Sequence, residues 1–234
     1  MKSSAVDKFI SFWKDFDAVT GPYIHPLDRD SLLSVKNAKF VFDAPTTPPG
    51  WVDAVYEDND APVQLGLLPI PFVGDLRKAD IFLCLLNPGL APADFYAEER
   101  HPEYRDQLVK ALRQDSYGGD EYPFWPLNPR FCWTGAATWW TGKLRRVIVA
   151  AAERWSCGYA EAAHRVSHRI SVIELFPYHS RDFRLGKAIA KLASSPRGQG
   201  IHQRHGDRSN KDCDRHSTNE RMGSGKRWKS ASRL

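Results

Sequence analysis

Residues 81–86, Ile-Phe-Leu-Cys-Leu-Leu, form an apolar run with no polar alternation. It is too short for an ordinary helix and has no wet face, so it predicts a central strand buried on both sides, with Cys84 as a small core residue. Asn87-Pro88-Gly89 ends it, and a proline followed by a glycine predicts a sharp turn just past the carboxyl end of the strand. A second run, residues 170–176, predicts another strand, followed by Pro177-Tyr178-His179-Ser180. The helical periodicity between the two runs predicts parallel pairing, with Asn87 and Pro177 at the same edge of the sheet. Ligands bind at this edge in open α/β sheets.

The rest of the pattern is mainly helical. Ser4 and Asp7 have the spacing of a helix start, and Phe9, Phe12, Trp13 and Phe16 follow on one face. Residues 23–60 are rich in Pro, Asp and Gly and read as loop, except for a short strand over residues 39–42. Residues 64–73 are apolar but carry Pro69 and Pro71, which predicts an edge or covering segment. His101-Pro102-Glu103 opens a helix whose apolar face is Tyr104, Leu108, Ala111 and Leu112. Residues 114–129 form a long connection loaded with aromatics. Trp140, Leu144, Val147, Ile148 and Ala151 mark an amphipathic helix, and Leu185, Ala188, Ile189 and Leu192 mark another.

Charge divides the chain in two. Residues 195–234 hold 10 Lys/Arg against 4 Asp/Glu, leaving 23 against 24 in residues 1–194. The basic character therefore belongs to the tail, whose few scattered apolar residues predict disorder after an α/β domain of residues 1–194. No apolar stretch has membrane-spanning length, and the first residues lack the apolar core of a secretion signal, so the expected location is the cytoplasm. Cys84, Cys132, Cys157 and Cys213 are scattered without a Cys-x-x-Cys pair. That spacing argues against a metal cluster and against a disulfide framework. The expectation is a monomer with no cofactor and no metal.

Three segments carry candidate chemistry: the Asn87-Pro88-Gly89 turn, residues 121–133, and residues 173–180, where His179 either acts on a ligand or caps the strand end. An asparagine amide both donates and accepts, so Asn87 at a strand end either holds a water against a reacting carbon or simply caps the next segment. Residues 121–133 read Glu-Tyr-Pro-Phe-Trp-Pro-Leu-Asn-Pro-Arg-Phe-Cys-Trp. Phe124, Trp125 and Phe131 there either hold a ligand or bury themselves under the loop. An apolar strand ending in Asn-Pro-Gly-Leu, then Tyr-Pro-Phe, then Asn-x-Arg-Phe, resembles the mismatch-specific uracil/thymine branch of the uracil-DNA glycosylase superfamily. The likeness covers roughly residues 79–135, and its two parts lie further apart here than in that branch.

The resemblance implies a three-layer α/β/α sandwich around a short, mainly parallel sheet. It further implies a metal-free hydrolase that cleaves the N-glycosidic bond of a uracil or mismatched base flipped out of DNA. Asn87 would position the attacking water. Pro88, Gly89, Phe124, Phe131 and Glu174 would surround the base, with Phe124 stacking on it and Glu174 reading its edge. Arg130, Arg145, Arg146, His179 and Ser180 would face the DNA. A carboxylate at residue 174 selects bases differently from an amide, or pairs with an arginine such as Arg169. The late strand and duplex-entering loop of that superfamily have no counterpart in residues 194–234, the expected mark of a frame shift or a lost segment. The alternative is a non-enzymatic nucleic-acid-binding protein or an inactive relative, with the tail supplying phosphate attraction. A nucleotide-binding hydrolase is disfavoured, because Gly89 stands alone with no following Lys-Ser/Thr.

Overall fold

The computed structural model describes residues 4–57, 61–115, 117–118 and 121–195. The chain divides into two units, Met1–Gln203 and Arg204–Leu234. The second unit, and with it the predicted disorder of the tail beyond residue 195, lies outside the described residues.

The first unit is an α/β fold built on two small sheets. Helix α1 (Ala5–Lys14) starts with Ser4 as N-cap in a capping box with Asp7, and it buries Phe9, Ile10 and Trp13. Helix α2 (Arg29–Leu33), strand β1 (Phe40–Val41) and helix α3 (Pro48–Tyr56) follow, so the stretch read as loop carries two helices. Thr47 caps α3, and the prolines that had argued for loop instead occupy its first turn, where a missing N–H costs nothing. Strand β2 (Val63–Gln64) pairs with β1 in parallel.

The larger sheet contains β3 (Phe72–Val73), β4 (Ile81–Leu85) and β5 (Ile170–Glu174), in the order β3-β5-β4. Strands β4 and β5 are parallel from Ile81 opposite Ile170 to Leu85 opposite Glu174, while β3 is an antiparallel edge, as Pro69 and Pro71 require. The parallel pairing matches the sequence reading, but the central position does not. It is β5 that is central and buried at every residue, whereas β4 is an edge strand with Ile81 47 % exposed and Cys84 exposed. An uninterrupted apolar run fits a buried centre and an open edge equally well on paper. Only the absence of a neighbour on the far side of β4, among the described residues, separates the two.

Helices α4 (Pro92–Arg100) and α5 (Pro102–Arg113) come next, and α5 buries the predicted Tyr104, Leu108, Ala111 and Leu112. Two 3-10 turns, Trp125–Leu127 and Pro129–Phe131, lead into the long helix α6 (Gly135–Trp155). That helix buries only Ala137, Trp140, Leu144 and Ile148, and Val147 on the predicted face is exposed. Helix α7 (Tyr159–Ser167) returns the chain to β5. A 3-10 segment, Gly186–Lys191, stands where the last helix was expected. The main core joins α1, α5, α6 and α7 to β3 and β5. A second cluster gathers Ile24, Leu32, Val63, Leu65, Phe176, Tyr178 and Leu192 beyond the end of β5. Among the described residues no helix is long and apolar enough to cross a membrane.

Candidate functional site

The carboxyl ends of β4 and β5 meet in one place. The ladder continues past the strands, with Leu175 N donating to Leu85 O and Phe176 N to Leu86 O, both at 2.9 Å. Asn87 is thereby held beside the segment that leaves β5. Gly89 has φ +76 with nothing near the position of a Cβ, so its glycine is required by backbone conformation and not by crowding.

The turn is clamped twice from residues 179 and 180. Asn87 Nδ2 donates to Ser180 O at 2.9 Å and to Ser180 Oγ at 3.1 Å, and the Ser180 hydroxyl donates in turn to Asp182 O at 3.1 Å. Among the described residues only the amide nitrogen of Asn87 is engaged, which fixes the carboxamide and leaves its oxygen as an acceptor. His179 lies with Nδ1 2.9 Å from Gly89 O and Nε2 3.1 Å from Leu68 O. Burial pushes its pKa down, opposed by the Asp94 carboxylate and the two carbonyls, while burial pushes Asp94 up. Asp94 accepts from Ala91 N at 2.7 Å and so fixes the start of α4 just after the turn.

Glu174 ends β5 in register with Leu85, two residues before Asn87. It is 4 % exposed, its Oε2 has no hydrogen-bond partner among the described residues, and burial pushes its pKa up to about 8. A carboxyl group in that state carries its proton at neutral pH and acts as an O–H donor. Arg169, the alternative partner, pairs instead with Asp80 at 2.8 Å.

The remaining expected residues separate into two groups. Arg130, Arg145 and Arg146 are exposed. The latter two line a shallow depression on α6 with Gly142, Val149 and Glu153, about 15 Å along the helix from Gly135. The position of a Cβ on Gly135 lies 3.6 Å from Ala91 Cβ, so α6 begins beside the segment after the turn. By contrast, His179 and Ser180 are buried at 3 % and 2 % exposure, with their polar atoms committed to the clamp, so neither reaches DNA. Phe124 is 0 % exposed, edge-on to Trp140 at 4.9 Å, and Phe131 packs edge-on to Tyr104 at 5.8 Å. Neither ring offers a face to a base, and the burial reading of the loop is the correct one.

No protein-family model, curated protein or solved structure matches the chain.

An aromatic surface does lie near the turn, on residues the sequence reading passed over. Tyr96 on α4 is 41 % exposed and Trp133 is 38 % exposed. His101 sits between them, its ring 5.0 Å from Tyr96 and 4.2 Å from Trp133. The indole of Trp133 is fixed by donation to Arg130 O at 2.9 Å. Trp133 ends the quoted aromatic segment, and its place one residue before the Thr134 cap of α6 was the available signal. Chemically, the site offers a fixed amide oxygen and a nearby aromatic surface, while the Glu174 carboxyl is enclosed and does not open onto it. Among the described residues it offers no group of three or more His, Cys, Asp or Glu placed to hold a metal ion.

Proposed function

We propose that the Asn87 turn is a glycosylase-type centre that hydrolyses the N-glycosidic bond of a base extruded from DNA. The observation that carries the reading is the double anchorage of Asn87 Nδ2 on Ser180, which aims a carboxamide oxygen from the strand end. A water that donates a hydrogen bond to that oxygen attacks C1′ as the bond to the base nitrogen breaks; the departing base takes the electron pair and then the proton that the water sheds. Tyr96 and Trp133 supply the stacking surface in place of Phe124, and a stack of that kind contributes about 1–3 kcal/mol. Arg130, Arg145 and Arg146 meet the phosphates.

The test is base release from uracil- and mismatch-containing oligonucleotides. Asn87→Ala is expected to lower release by on the order of 10² or more while the chain still binds the oligonucleotide. It removes two hydrogen bonds, so a stability loss of about 1–2 kcal/mol accompanies it. Release that survives Asn87→Ala unchanged overturns the assignment.

A second reading, a non-enzymatic nucleic-acid-binding protein or an inactive relative, is favoured by the burial of Phe124. Silence of the unmodified chain on every damaged base tried, with oligonucleotide binding intact, selects it.

A further inference from the structure

At the other end of β5, away from Asn87, two histidines meet. His164 lies in the last turn of α7 and His168 caps that helix, four residues on and two residues before β5 begins. Their Nε2 atoms are 3.3 Å apart, whereas the ring centroids are 4.8 Å apart with the planes crossed at 76°. The nitrogen-bearing edges therefore face each other. Both rings are partly exposed and open to small ions.

We propose that His164 and His168 form a two-histidine site for a divalent cation of the zinc class, bound through both Nε2 atoms with water completing its shell. The separation carries the choice of ion. Two zinc–nitrogen bonds of about 2.0–2.1 Å at a tetrahedral angle place the nitrogens about 3.3–3.4 Å apart, against about 2.8–3.0 Å for neighbouring positions of a square or octahedral shell. Histidines at i and i+4 on one helix face bring two imidazoles to a single ion without moving the backbone. As a bare hydrogen bond the same contact is long, and it forces one ring to accept from the other.

The electrostatics around the pair are mixed. Burial and the neighbouring His164 hold the His168 pKa below the ordinary histidine value, with Lys78 adding to this and the Glu121 carbonyl and Asp75 opposing it. The Tyr122 ring stands edge-on to His164 at 4.8 Å and limits its reorientation. A bound ion ties the last turn of α7 to its own cap, immediately before the central strand. This proposal is independent of the glycosylase reading, since neither histidine takes part in that chemistry.

Titration of the full chain with Zn2+ near pH 7.5, against a chromophoric chelator, tests it. One ion per chain is expected at micromolar affinity, weakened at least about tenfold in both His164→Gln and His168→Gln. Co2+ in the same site is expected to give the strong visible absorption of a four-coordinate ion, and saturating Zn2+ to raise the thermal midpoint of the unmodified chain alone. Both variants keep His202, His205, Cys213 and His216, so binding at those residues appears equally in all three proteins. Affinity unchanged in either variant, or no binding to the unmodified chain at millimolar Zn2+, overturns the proposal.

Discussion

Replacing Glu174 by glutamine tests the state of the buried carboxyl group directly. Its pKa stands near 8 in the folded chain against 4.5 for an unperturbed glutamate, with burial as the cause. The folded state therefore holds a proton that the unfolded state has released at every pH between those values. Stability from this group is fully present below about pH 4.5 and falls as the pH rises toward 8. At about 1.4 kcal/mol per unit, the loss between pH 5 and pH 8 comes to about 3–4 kcal/mol. The side chain is 4 % exposed, so solvent screening does not reduce that figure much. Glutamine has the same shape and no proton to lose. Urea unfolding followed by tryptophan fluorescence is therefore expected to give similar stabilities at pH 5, with Glu174→Gln ahead by about 3 kcal/mol at pH 8. Glu98, also pushed up to about 8 by burial, acts in the same direction in both proteins and cancels in the difference. Stability curves that run parallel from pH 5 to pH 8 refute the assignment of a neutral Glu174.

Two further outcomes follow from burial. Phe124→Ala is expected to cost about 3–5 kcal/mol in urea unfolding, because the ring fills the core against Trp140, and a loss of DNA affinity without a loss of stability contradicts this. Cys84 is expected to react with a maleimide in the folded chain about as readily as exposed Cys132, read by mass after proteolysis, and protection of Cys84 until denaturant is added shows that the edge of β4 is covered.

Local signals carried much of the fold. The Ser4 and Asp7 spacing, the proline at the start of α5 and the apolar faces of α1 and α5 each depend on neighbours within a few residues, and each is realised. The parallel pairing of β4 and β5 followed from the helical connection between them and its length. What failed depended on the whole fold. Whether Ile81 and Cys84 are covered is decided by which strand lies beyond them, and no local pattern records that. Phe124 failed for a similar reason, since an aromatic side chain in a long loop is as well suited to a core as to a ligand, and the position of Trp140 decided between them. At the site, Asn87 and Glu174 were legible as strand-end polar residues. The partner of Asn87 was not, because Ser180 lies 93 residues further along the chain.

The edge of β4 has a consequence for how this chain reaches its folded state. Every residue of β4 pairs with one about ninety positions later, so at ordinary synthesis rates of about 5–20 residues per second its partner emerges several seconds behind it. Throughout that interval an apolar segment without charge or proline stands ready to pair with any other extended chain. Its protection in that interval is confined to its ends, where the Asp80 carboxylate and Pro88 flank the run. The arrival of β5 removes one vulnerable side of the strand, and the other has no partner strand among the described residues. Yield on refolding should therefore fall steeply with protein concentration even where the folded chain is stable, the limit being set by collisions between β4 edges and not by the free energy of the native state.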